Sequence, residues 1–260
     1  MDLELKGQSV LVTGGSKGIG LATARAFAAE GCHLHLAART KVDLTNAEKS
    51  ISGEFDVTVA VHPLDLSQGK HVASLAEACG DVDILVNNAG AIPGGTIEAL
   101  DEAQWRAAWE LKVFGYINMM REFYTVMKAR RKGVIVNVIG NAGNQPPAEY
   151  AAGVSADAML EVLTRTLGSD SLDHGVRVVG VSPGDMMNER GRMFLKRQAE
   201  KAWGDAERWR ERMRGLPGAR AGTSEEIADA VVFLASPRSG YTSGTVLTID
   251  GGVSARRAVM

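Results

Sequence analysis

At 260 residues, with 45% hydrophobic and 23% charged residues, the chain is long enough to bury about three quarters of its unfolded surface, in one large α/β domain or two small ones. A formal charge of −2 and a pI near 6.2 exclude any general attraction to nucleic acid or acidic membranes. The cysteines Cys32 and Cys79 lack zinc or redox spacing, the acidic N-terminal stretch is not a signal peptide, and no apolar run is long enough to span a bilayer; the chain reads as cytoplasmic.

In chain order, an apolar strand at 9–12 runs into Thr13-Gly14-Gly15-Ser16-Lys17-Gly18-Ile19-Gly20, a glycine-rich turn that opens a helix over 19–30. Glycines at 14, 18 and 20 let the backbone come close to a diphosphate, and the helix N-terminus favours its negative charge. The ligand class indicated is a dinucleotide, although an ordinary strand-to-helix turn can carry the same glycines. Further strands are predicted at 33–37, 57–62, 84–87, 134–138, 177–181 and 246–249, and helices at about 67–79, 101–130, 149–172 and 223–235. Strands alternating with helices, the strands almost continuously apolar, predict a parallel sheet covered on both faces. No linker, repeat or low-complexity tract divides the chain, so residues 1–260 read as a single dinucleotide-binding domain.

One segment stands apart. Residues 189–214 are crowded with arginine, lysine and glutamate, with Trp203 and Trp209 among them. This helical insertion reads either as a solvated hairpin or as a lid over the crevice at the carboxyl ends of the strands. Its position favours the lid.

Four more landmarks stand in order: Asp65-Leu66 after the third strand, Asn87-Asn88-Ala89-Gly90 at the end of the fourth, Ser182-Pro183-Gly184 after the sixth and Asp250-Gly251-Gly252 after the seventh. Together with Thr13–Gly20 they give a set that resembles the short-chain dehydrogenase/reductase family over essentially the whole chain. The resemblance implies a seven-stranded Rossmann fold, a nicotinamide cofactor, a small-molecule substrate and a homotetramer or homodimer. It also implies that Thr13 ties the glycine turn to the Asn87–Gly90 segment, that Asp65 and Leu66 meet the adenine, and that Asn88, Ala89 and Gly90 pass behind the ribose. Pro183 and Gly184 would lie near the nicotinamide.

Charge decides between the two nicotinamide cofactors. An NAD site needs a carboxylate at the end of the second strand for the ribose 2′-hydroxyl, whereas this chain reads Ala37-Ala38-Arg39-Thr40-Lys41 there. Lys17 and Arg39 are placed to hold a 2′-phosphate, so NADP(H) is expected over NAD(H).

The resemblance fails at the catalytic positions. The family's usual set is an Asn, a Ser, a Tyr and a Lys. The fifth-strand pattern aligns Gly140 with the Ser, and the fifth-helix pattern aligns Gly153 with the Tyr and Asp157 with the Lys. Trp105 anchors the fourth helix and aligns Lys112 with the Asn. Glycine cannot donate a proton, and an aspartate would repel a tyrosinate, so the usual ketone-reductase chemistry cannot run on these residues.

The nearest substitutes are Tyr150, Lys112 and Asp157. Tyr150 precedes Asp157 by seven residues, the Tyr-to-Lys spacing of the family's enoyl reductases. Lys112 and Asp157 are expected to pair across the site. Trp105, Trp109, Lys112 and Tyr116 share one helical face, so an interface stripe with Lys112 reaching water is also open. Asn141, Asn144, Asp185 and Asn188 are expected on loops facing the crevice. The five histidines show no metal-ligand spacing, and no metal is expected. The combined expectation is an NADP(H)-dependent oxidoreductase with a rearranged site, moving hydride to or from a C–O or activated C=C bond. The alternatives are an inactive NADP(H)-binding sensor or subunit, and a lyase or isomerase on the same fold.

Overall fold

Seven strands alternate with helices in the computed structural model, which describes residues 1–144 and 146–256. The strands are β1 (Ser9–Thr13), β2 (His33–Ala38), β3 (Val59–Pro63), β4 (Ile84–Asn87), β5 (Gly133–Val138), β6 (Val176–Pro183) and β7 (Thr245–Ile249). They form one sheet in the order β3-β2-β1-β4-β5-β6-β7, with every neighbouring pair parallel. The strand order reverses between β1 and β4. Ligands of such sheets bind at that switch point, outside the carboxyl ends of the strands.

Side chains alternate across each strand, so Val10 and Val12 join one core while Leu11 joins the other. On the first face the core closes against α1 (Gly18–Ala29), α2 (Lys41–Ser52) and α9 (Ser224–Ala235), through Phe27, Leu44, Ile51, Ile227 and Val231. The second face packs α3 (Gly69–Cys79), α5 (Gly115–Arg130) and α6 (Ala151–Gly168), through Leu75, Met119, Phe123 and Leu160. None of the described helices is long and apolar enough to cross a membrane.

Several boundaries differ from the sequence expectation. Helix α2 was not expected: its buried stripe is only Leu44, Ala47 and Ile51, set among polar residues of weak helix propensity. Pro183 is the last residue of β6 and buried, rather than part of a loop. The long helix expected over 101–130 is three pieces: α4 (Glu102–Trp109), a π-helical turn at Glu110–Phe114, and α5. An Asp101–Gln104 capping box starts α4.

The charged insertion is helical. It contains α7 (Glu189–Trp203) and the short α8 (Trp209–Arg212), which share a small core of Leu195, Ala199 and Trp209. Arg208 and Arg212 lie over the Trp203 ring and Arg210 over Trp209, so part of the positive charge covers aromatic surface.

Candidate active site

The register of β1 and β4 brings the glycine turn against the Asn87–Gly90 segment. Thr13 Oγ1 donates to the Val86 carbonyl at 3.2 Å and accepts from the amides of Asn88 at 2.8 Å and Ala89 at 3.1 Å. Asn88 Nδ2 closes the other side on the Thr13 carbonyl at 3.0 Å. One buried hydroxyl thus satisfies three backbone groups at two loop ends. Gly14 has φ +66°, and a Cβ there would stand 2.8 Å from Asn88 Nδ2, so only glycine fits. Gly18 has φ +55°, and a Cβ there would stand in ordinary contact, 3.8 Å from Asn188 Nδ2. Helix α1 starts with no side-chain cap and no acid in its first turn, which leaves its amides and dipole to an anion. These features fit a dinucleotide diphosphate.

At the expected adenine end, Asp65 Oδ1 accepts from the Ser67 amide at 3.1 Å. Burial works against its charge, but that hydrogen bond and the nearby Arg39 hold its carboxyl below the ordinary range. Leu66 beside it is buried. Lys17, expected at a 2′-phosphate, is instead 3.0 Å from Asp43 Oδ2 on α2. That acid was missed because α2 itself was. Arg39 is exposed at the end of β2. At the far end of the crevice Gly184 donates to the Ile249 carbonyl at 3.0 Å, and a Cβ there would meet Asp250. Ser16 and Ile19 are half-buried in the turn.

Three side chains occupy space that glycines leave open. A Cβ on Gly153 would fall on the ring of Tyr150, and one on Gly140 would lie 2.5 Å from Asp157 Oδ2. A Cβ on Gly90 would lie 2.8 Å from Lys112 Cδ, so that glycine makes room for the lysine stem. The ring of Tyr150 therefore stands beside Gly153 and the Asp157 carboxylate beside Gly140, the two positions expected to align with the family's Tyr and Ser.

Tyr150 is held by its backbone. Its neighbours Glu149 and Ala151 exchange hydrogen bonds with Gly95, at 2.7 and 3.1 Å. Its hydroxyl accepts from Arg190 Nη2 at 3.3 Å, and the same guanidinium donates to the carbonyls of Gly90 at 3.0 Å and Ile92 at 3.3 Å. Arg190 lies in the first turn of α7, so the insertion reaches down onto the crevice through this side chain. Burial pushes the Tyr150 phenol up, and the charge of Arg190 works against that rise.

Lys112 and Asp157 lie 4.0 Å apart, both buried. The Lys112 ammonium donates to the carbonyls of Ile139 at 2.8 Å and Val138 at 3.1 Å, and to the Tyr116 hydroxyl at 3.4 Å. Its donors are thus spent inside the protein. At 7% exposure it does not reach water, which corrects the picture of a stripe with a solvated lysine. Burial lowers its pKa to about 8, Asp157 opposing and Arg190 adding to the effect. The Asp157 carboxyl moves the other way, raised by burial against the pull of Lys112 and Arg190. Tyr116 donates to Val138 at 2.7 Å, and burial holds its phenol well above the ordinary value.

Two of the loop polar groups serve the scaffold. Asn141 donates to Asp250 at 3.2 Å, and Asn188 caps α7 by accepting from the Gly191 amide at 2.9 Å. Arg190 carries no signal of its own in the sequence, being one charge among many in its segment. Sequence spacing offered no metal ligands, yet the fold gathers His35, His62 and Cys79 at the β3 edge of the sheet.

The doubly wound sheet and the glycine turn define a dinucleotide-binding α/β protein of the Rossmann type. The short chain dehydrogenase family profile matches residues 8–197, and the chain belongs to that family. It is 34% identical over 253 residues to a galactitol 2-dehydrogenase (L-tagatose-forming) from Cereibacter sphaeroides, covering 95% of each chain. An L-xylulose reductase from Mesocricetus auratus is 31% identical, covering 97% of this chain and 98% of that protein. Among solved structures, L-sorbose reductase from Gluconobacter frateurii, complexed with NADPH and L-sorbose, superposes with a TM-score of 0.91 at 30% identity, covering 99% of this chain and 100% of that one. An NAD+-bound xylitol dehydrogenase superposes at 0.88 with 26% identity, covering 96% and 100%. These relatives are oxidoreductases, and the two structures carry different nicotinamide cofactors.

Proposed function

We propose that this protein is an NADP(H)-dependent oxidoreductase acting on a C–O or activated C=C bond of a small polar substrate, with Tyr150 as the proton donor. The observation that carries the reading is the Tyr150 ring filling the space beside Gly153, its hydroxyl 3.3 Å from Arg190. The nicotinamide, when bound, supplies or accepts the hydride. The Thr13–Gly20 turn and the start of α1 hold the diphosphate, Asp65 and Leu66 the adenine, Asn88, Ala89 and Gly90 the ribose side, and Pro183 and Gly184 the nicotinamide side. Arg39, exposed at the end of β2, favours the 2′-phosphate, and Lys17 joins it by leaving Asp43.

At the reacting end Tyr150 holds its proton, because burial keeps the phenol neutral. Arg190 eases its release by stabilising the phenolate that forms as the proton leaves. Lys112 acts at one remove: it neutralises Asp157 and fixes the end of β5, without touching substrate. Residues 189–214 serve as the lid, and Arg190 is its contact with the crevice floor. The polyol and ketose names of the relatives support a polar, hydroxylated substrate. A groove between α5 and α6, lined by Ile117, Tyr124, Val126, Leu163 and Leu167 with Arg121 and Glu122 beside them, supports assembly with a second copy into a homodimer or homotetramer.

The test is a carbonyl and enone screen followed by NADPH absorbance. Tyr150→Phe is expected to lower kcat by about 10²–10⁴-fold with NADPH affinity unchanged. Full turnover in that variant refutes the proton-donor role, and equal affinity for NADH and NADPH refutes the cofactor preference. A second reading, a non-catalytic NADP(H)-binding subunit, is supported by Lys112, whose donors are all spent within the protein. Tight NADPH binding with no turnover across the screen would favour it.

A further inference from the structure

We propose that His35, His62 and Cys79 form a binding site for a zinc-class divalent cation. His35 lies on β2, His62 on the outer strand β3, and Cys79 is the last residue of α3. The β2–β3 register pairs His35 with Ala60 and Ala37 with His62, which sets the two imidazoles diagonally on one face of the sheet. Helix α3 packs on that face and delivers the thiol.

The donor atoms are close enough for one ion. His35 Nδ1 and His62 Nε2 are 3.0 Å apart, Cys79 Sγ is 3.8 Å from His62 Nε2, and all three lie within 4.8 Å of one another. Tetrahedral zinc with bonds of about 2.0–2.1 Å to nitrogen and about 2.3 Å to sulfur requires donor separations of about 3.3–3.6 Å. Shifts of an ångström or so in side chains therefore complete the site. Two nitrogens and one sulfur are a borderline-soft set that selects zinc-class ions over magnesium or calcium. Both histidines are half-buried, which leaves the outer edge of the sheet as the entry path and room for water as a fourth ligand.

Protonation sets the pH dependence. His35 Nδ1 and His62 Nε2 share one hydrogen bond, so an ion entering between them breaks that contact and takes a lone pair from each neutral ring. The Cys79 sulfur binds as a thiolate, so the ion displaces its proton: the S–H bond breaks, the metal–sulfur bond forms, and one H⁺ passes to solvent. The Cys79 backbone, the β2–β3 pair and α3 would then be clamped together, raising the melting temperature.

Cadmium tests the site directly, because a cadmium–thiolate bond gives an ultraviolet charge-transfer band. Titration of the chelator-treated protein is expected to saturate at one equivalent, release one proton, and tighten about tenfold per pH unit near neutrality. Cys79→Ser is expected to abolish the band, whereas Cys32→Ser, at the other buried cysteine, retains it. His62→Gln and His35→Gln are expected to weaken zinc binding about tenfold or more, read as loss of the zinc-induced thermal shift. If Cys79→Ser does not fold, the two histidine variants decide. A band that survives Cys79→Ser, no saturation below millimolar cadmium, or a thermal shift indifferent to both histidines overturns the proposal.

Discussion

The carboxylate of Asp157 fills the space into which a side chain on Gly140 would point, with Oδ2 2.5 Å from the position of that Cβ. Gly140 sits at φ +150°, where residues with side chains are strained, and the hydroxyl of Ser182 holds its carbonyl at 2.7 Å. The room beside Gly140 is taken by an acid from the facing helix, an exchange of glycine space for carboxylate volume.

This exchange predicts coupling. Gly140→Ala is expected to cost about 1–3 kcal/mol, because both the backbone and the Asp157 carboxylate must move. The double variant with Asp157→Ala is expected to recover about 1 kcal/mol relative to the sum of the singles, measured as urea unfolding midpoints. Strict additivity would show that the two side-chain volumes are independent.

The buried Lys112 predicts a stability change at alkaline pH. Its pKa is about 8 in the fold against 10.5 for the free group, so between those values the unfolded chain binds a proton that the native protein does not. Stability from this group therefore rises with pH across that window and is lost as pH falls through about 8, a change on the order of 3 kcal/mol. Lys112→Met should lack the rise. Parallel unfolding curves of the two proteins from pH 8 to 10.5 check it, and identical slopes would place Lys112 elsewhere.

Arg190 predicts a shift in the pH profile. Its charge counters the burial that raises the Tyr150 phenol, so its removal leaves that phenol higher. With Tyr150 as proton donor, reduction fails as pH rises through the phenol pKa. Arg190→Met is expected to move the alkaline limb of kcat/KM to higher pH while lowering the maximum about tenfold or more. An unmoved limb would detach Arg190 from the proton donor.

The ion pair between Lys17 and Asp43 makes a prediction for cofactor choice. Asp43→Ala frees Lys17 for a 2′-phosphate and removes a like charge from its neighbourhood, so NADPH affinity is expected to rise about 3–10-fold with NADH little changed. Arg39→Ala is expected to lower NADPH affinity by a similar factor. Fluorescence titration of both cofactors reads both effects.

Much of the scaffold was legible before folding. Five landmarks sit at or just after strand ends, and the first marks local backbone demands: Gly14 needs a positive φ, and Thr13 needs the amides of Asn88 and Ala89. Alternating apolar strands are equally local signals, which is why all seven appear close to their expected bounds. Helix α2 was illegible because its three buried residues are outnumbered by polar ones. The π-helical turn at Glu110–Phe114 leaves no mark in hydrophobic period at all.

The chain alone determined the parallel sheet and the dinucleotide turn, since each is a matter of which residue stands at which place along the backbone. Only the tertiary structure decided which side chains meet in the crevice. Tyr150 against Gly153, Asp157 against Gly140 and Lys112 against Gly90 are fits between side chains and glycine spaces, two of them across separate elements. Arg190 over Tyr150 and His35 beside His62 and Cys79 join residues distant in sequence. Such relationships depend on distance and burial, which sequence spacing does not carry once the chain leaves a single helix or strand.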